Sequence, residues 1–163
     1  MKEHSCAILG SSPLSFPWGF DEEDDRCVAL KLTLFNKITH LQNQGITDFY
    51  VVMDAGTGLY AAEIINGLRE DGGNLHLVCV IPWEEQATKW TPELRDRYFN
   101  TLEKCDDVQM ISKVYSPECE IKAMLNAIDA AGQVLTIRGE DTGLLSVALH
   151  YAQRVGRQVT VLR

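Results

Sequence analysis

Short apolar runs alternate with amphipathic stretches along the whole chain, and that alternation admits few folds other than repeated βαβ units closing a mostly parallel sheet. The apolar runs fall at about residues 4–9, 48–53, 75–81, 108–112, 134–137 and 158–162. The run at 75–81 is almost wholly apolar, as a central parallel strand covered on both faces must be. Between the runs, helical spacing is carried by Val28, Leu30, Leu34, Phe35, Ile38 and Leu41 over 26–43, and by Leu59, Ala62, Ile65 and Leu68 after residue 56. Further helices are expected at 92–104, from 117 onward and at 142–155, with Gly45 and Gly72-Gly73 as stops. The fold class is therefore α/β: a three-layer, Rossmann-like, doubly wound sheet. The expected strand order is 3-2-1-4-5, with the last strand extending an edge.

At 163 residues the chain has the length of one domain spanning 1–163, since two separate cores would each be marginal. No apolar run reaches the roughly 20 residues of a membrane span, so no membrane association is expected. A net charge of −8, with scattered basic residues, makes nucleic acid an unfavourable partner. The five cysteines, Cys6, Cys27, Cys79, Cys105 and Cys119, form no C-x-x-C pair and have no histidine at metal-ligand spacing, which points to a reducing cytoplasm and to no metal centre. Cys119 opens a helix, a position that lowers a thiol pKa, but Glu118 and Glu120 oppose that effect.

In open parallel sheets ligands bind beyond the carboxyl ends of the strands. The segments there are Gly10-Ser11-Ser12-Pro13, Asp54-Ala55-Gly56-Thr57-Gly58, 112–117, and Arg138-Gly139-Glu140-Asp141-Thr142-Gly143. Gly56-Thr57-Gly58 suits either of two roles: an anion cradle at a helix N-terminus, or a plain tight turn from strand to helix. Asp54 next to it places a like charge where a phosphate would sit. There is no G-x-G-x-x-G, no G-K-[ST] and no G-x-S-x-G, so neither a dinucleotide fingerprint, a P-loop nor a nucleophile elbow supports a specific activity. Trp18, Trp83 and Trp90 could either wall a base-stacking pocket or anchor loops.

Phe16-Pro17-Trp18-Gly19-Phe20-Asp21, then Asp25-Arg26-Cys27-Val28-Ala29-Leu30-Lys31, Leu59-Tyr60-Ala61-Ala62-Glu63, Arg95-Asp96-Arg97-Tyr98, Tyr115-Ser116-Pro117-Glu118-Cys119 and 151–157 resemble, in that order, the YpsA-like branch of the SLOG superfamily. That superfamily includes cytokinin-activating phosphoribohydrolases and DNA-processing protein A. The resemblance implies a Rossmann-like sheet whose strand-end loops bind a nucleotide or an ADP-ribose-like ligand, with or without magnesium, and a tendency to form homodimers. Departures fall in those loops: G-H-R-P becomes Gly10-Ser11-Ser12-Pro13, G-M-A-x-G-x-D becomes 52–58 with one glycine kept, R-N-R becomes Lys122-Ala123-Met124, and G-G-T becomes Gly143-Leu144-Leu145. Each lost cationic hydrogen bond is worth about 1.5–3 kcal/mol. The expectation is thus a binding or sensing module without catalytic residues, its ligand held by Gly10, Ser11, Ser12, Asp54, Gly56, Thr57, Gly58, Arg138, Gly139, Thr142 and Gly143. The alternatives are a nucleotide N-glycosidic hydrolase using Glu63 or Asp54 as the acid, and a scaffold that binds only proteins.

Overall fold

The computed structural model describes residues 2–137 and 143–162. Six parallel strands form one sheet: β1 (Ser5–Leu9), β2 (Asp48–Val52), β3 (His76–Ile81), β4 (Asp107–Met110), β5 (Gln133–Ile137) and β6 (Gln158–Leu162). Five α-helices separate them: α1 (Asp25–Asn43), α2 (Thr57–Glu70), α3 (Pro92–Lys104), α4 (Pro117–Ala130) and α5 (Gly143–Arg154). The period of two along each strand splits the core. Cys6, Ile8, Phe49, Val51, Leu77 and Cys79 pack with the buried stripes of α1, α2 and α3. Ala7, Leu9, Val78, Val80 and Val134 face α4 and α5. These two layers of helix over one sheet are the three-layer architecture the alternation demands.

Strand order is β4-β3-β2-β1-β5-β6, which corrects the expected 3-2-1-4-5. All four residues of β4 are exposed, whereas four of the five in β5 are buried. A strand that short and wet belongs on an edge, and the apolar β5 takes the central place beside β1. The correction moves the reversal of strand order. The chain leaves β1 toward β2 on one side and leaves β5 toward β6 on the other, so the crevice lies between the carboxyl ends of β1 and β5.

Local chemistry sets the element ends. The Asp24 carboxylate accepts the Arg26 N–H at 2.9 Å and caps α1, which is where the acidic run 21–25 delivers its charge. Glu22 in the same run accepts from Arg97 at 2.7 and 3.0 Å and from Lys31 at 2.6 Å. Arg97 also donates to Glu63 at 2.7 and 3.0 Å. One guanidinium thus ties the loop before α1 to α2 and α3 through two forked contacts. No helix among the described residues is long and apolar enough to cross a membrane.

The cysteines divide by surroundings. Cys119, in the first turn of α4, is buried. Burial pushes the Cys6 thiol up to about 12. Cys105, half-buried at the end of α3, is drawn down to about 7 by a hydrogen bond from the Cys79 thiol, and the same contact together with burial holds Cys79 far above its ordinary range. Iodoacetamide should therefore alkylate Cys105 first, at a rate that rises as pH passes about 7, and C105S should abolish the fast phase. Peptide mass spectrometry against time reads this; a fast-labelling residue other than Cys105 would contradict it.

Candidate functional site

A cavity of about 520 Å³ opens at the carboxyl ends of β1, β2 and β3, bounded by the first turns of α4 and α5. That volume lies within the roughly 300–1,000 Å³ of small-molecule sites. Gly10, Ser11 and Ser12 come from the loop after β1, Asp54 and Ala55 from the loop after β2, Pro82 and Trp83 from the end of β3, and Gly143 to Leu145 from α5. Phe20, Trp90, Gln86, Glu120 and Met124 complete the wall, and no lysine, arginine or histidine lines it among the described residues.

The turn into α2 is built around Asp54. Its Oδ1 accepts the Gly56 N–H at 2.7 Å and the Gly58 N–H at 2.9 Å. Thr57 is fully buried, and its hydroxyl and its backbone N–H both donate to the Ser11 carbonyl, at 3.3 and 3.4 Å. Of the expected site residues, the structure therefore brings Gly10, Ser11, Ser12, Asp54 and Gly143 to the cavity. Gly56, Thr57 and Gly58 stand behind it, holding the loops after β1 and β2 together. An added Cβ at Gly10 would run into the Thr57 side chain, and one at Gly56 would stand 2.8 Å from the Ser11 carbonyl oxygen. Arg138, Gly139 and Thr142 lie outside the described residues.

Burial pushes the Asp54 carboxyl up to about 7; the Gly58 and Gly56 N–H donors pull it the other way, and the charge of Glu120 adds to the rise. The sign of the linkage follows. Between the ordinary carboxylate range and pH 7 the folded protein holds a proton here that the unfolded chain releases, so this group's contribution to stability falls as pH rises through that window. D54N keeps an oxygen acceptor for both N–H groups but removes the charge. The variant should lose that part of the pH dependence and melt higher than the wild type at pH 8. Urea unfolding at pH 5 and pH 8 checks this, and an unchanged pH dependence in D54N would refute it.

Two of the three tryptophans face the cavity. Trp83 meets Tyr115 edge-on at 5.0 Å, and Trp90 meets the buried Tyr98 edge-on at 5.0 Å. Trp18 does not join them: it stacks on Phe16 at 4.8 Å, and its buried indole N–H has no partner among the described residues. Glu63, the acid considered for hydrolysis, is committed to Arg97 and is absent from the lining. Glu120, Gln86 and Phe20 were not read from the sequence as site residues, and Met124 entered only as part of the segment that stands where the R-N-R motif falls. Glu120 and Met124 are four apart on a helix, one step round from the buried Cys119, Ala123 and Ala127. That spacing sets them on one face of α4. No group of three His, Cys, Asp or Glu side chains suited to a metal occurs among the described residues.

A six-stranded parallel sheet with helices on both faces defines a three-layer, Rossmann-like class of domain. The sequence profile of the YspA SLOG family (YpsA) matches residues 6–153, and the chain belongs to that family. It is 27% identical over 107 residues to a UPF0398 protein of Bacillus licheniformis, covering 65% of this chain and 57% of that relative. It is 29% identical over 84 residues to one from Halalkalibacterium halodurans, covering 52% and 44%. It is 24% identical over 118 residues to UPF0398 protein YpsA of Bacillus subtilis, covering 71% and 64%. The matched segments thus span from under half to under two thirds of these relatives' lengths.

Proposed function

We propose that this chain binds a small nucleotide-derived ligand in the strand-end cavity and acts by binding rather than turnover. The observation that carries the reading is one coincidence. The cavity lies beyond the carboxyl ends of β1, β2 and β3, beside the start of α5, and it combines the flat rings of Trp83 and Trp90 with Ser11, Ser12, Gln86 and Asp54. Rings supply stacking area for a base, and the polar groups supply hydrogen bonds for its edge and for ribose. Gly139 and Thr142, which follow β5 in sequence, belong to the same proposal, and so does Arg138, as a donor to the base or the ribose. The hydrolytic alternative keeps one supporting feature, the near-neutral Asp54 carboxyl, but loses its other acid to the Arg97 pair.

A thermal-shift screen with nucleosides, nucleotides, ADP-ribose, nicotinamide dinucleotides and sugar phosphates, each with and without magnesium, tests this reading through linkage. Ser12→Trp, which fills the cavity from a lining position, is the paired control. A reproducible rise in melting temperature that vanishes in S12W is the expected result. A flat screen with the folded wild type would overturn the reading and favour a protein-binding scaffold.

A further inference from the structure

In a Rossmann-like sheet the usual place for phosphate is the ring of free N–H groups at a helix N-terminus after a strand. Here the N-terminus of α2 already holds a carboxyl group of the chain itself, and above about pH 7 that group is an anion. The Gly56 and Gly58 N–H groups both donate to Asp54 Oδ1, and the N–H between them goes to the Ser11 carbonyl. The chain's own carboxylate sits where a phosphate oxygen would, and a ligand phosphate at this spot would have to displace it. Across the same cavity Glu120 projects from the first turn of α4, so a second carboxylate faces the ligand space. Asp54 Oδ2 makes no hydrogen bond among the described residues, which leaves it to accept from a ligand. Flat or apolar wall comes from Trp83, Trp90, Phe20, Met124, Leu144 and Leu145, and the other polar side chains among the described lining residues, Ser11, Ser12, Ser15 and Gln86, are uncharged.

Carboxylates accept and do not donate when ionised, so they match amino groups, ring N–H groups and hydroxyls and repel phosphate oxygens. We infer that the cavity selects an amino-bearing nucleoside, held by its base and ribose, over the corresponding phosphorylated nucleotide, with Asp54 and Glu120 reading the donor groups and the two tryptophans stacking the ring. This rests on the ligand-binding reading above and narrows it to a ligand class. Ser11 and Ser12 then serve the ribose side, and the serines that stand at the G-H-R-P position fit a site that does not hold phosphate there.

Isothermal titration of the full chain at pH 8 with adenosine, AMP and purine riboside tests the inference. Adenosine should bind at least tenfold tighter than AMP, which adds only the phosphate, and at least tenfold tighter than purine riboside, which lacks only the amino group. D54N, which keeps the N–H acceptor and so preserves the turn, should shrink the gap between adenosine and AMP by threefold or more; an unchanged gap would remove Asp54 from the reading. AMP binding as tightly as adenosine, or tighter, would overturn the inference while leaving the site in place. No heat from any of the three, with a flat thermal-shift screen, would overturn the inference and the binding reading together.

Discussion

Gly58→Ala should cost about 3 kcal/mol, the upper end of what one extra methyl forces on a packed interior, and should lower the melting temperature by about 6–12 °C for a chain of this size. The added Cβ would fall within contact distance of the Val52 carbonyl oxygen and 3.0 Å from the Met53 Cα. Backbone at the end of β2 cannot rotate aside as the tip of a long side chain can. Gly67, in the same helix, supplies the opposite sign. It is exposed and an added Cβ there meets nothing within 4 Å, so G67A should stabilise by about 0.5–1 kcal/mol through helix propensity alone. Chemical denaturation of the two variants separates close approach from propensity; a destabilised G67A or a neutral G58A would contradict the packing described for the turn into α2.

Tyr98→Ala should be the most damaging side-chain truncation near the cavity, at about 3–5 kcal/mol, the range for removing a buried aromatic. Tyr98 is 1% exposed, packs edge-on against Trp90 and Phe99, and accepts the Gln86 Nε2–H at 3.0 Å through its hydroxyl. Two lining residues therefore lean on one ring. Y98F keeps that ring and should cost only about 1 kcal/mol, the value of one net hydrogen bond, while leaving the Gln86 amide unpaired. Denaturation midpoints rank the two changes, and titration of Y98F with adenosine then shows whether Gln86 contributes to binding. Equal stability of Y98A and the wild type would mean that the ring does not support this wall.

The fold was largely legible because the evidence for it is periodic. The run 5–9, buried at every residue, and the stripe Leu30, Leu34, Ile38, Leu41 are repeated signals, and each agrees with its neighbours about what lies inside. Strand order was not legible, since β4 and β5 are both short apolar-looking runs. What separates them is the exposure of every β4 residue, a property of tertiary context rather than of sequence. That one exchange governs the site. With β4 on the far edge, α4 crosses back over the sheet and brings Glu120 and Met124 to the cavity, which no spacing argument could supply.

The loops were half legible. Glycines at 10, 56 and 58 signalled close approach, and close approach is found, but to the Thr57 side chain at Gly10 and to backbone carbonyls at Gly56 and Gly58 rather than to a phosphate. The adjacent Asp54 carried the signal that distinguishes the two cases: a carboxylate two residues before a strand-end glycine can accept the very N–H groups a phosphate would use. Trp18, Trp83 and Trp90 looked equivalent as loop tryptophans. Only the packing of Phe16 under Trp18 removes the first of them from the cavity.

The most direct test of the central claim, that the strand-end cavity is where this chain binds its ligand, is an NMR titration of the ¹⁵N-labelled protein with adenosine. Shifts should concentrate at residues 10–15, 54–55 and 83–90 and at Glu120, and they should be absent from the groove that Val147, His150 and Arg154 line on α5. Saturable shifts confined to that α5 groove, or no shifts at millimolar adenosine, would contradict the claim.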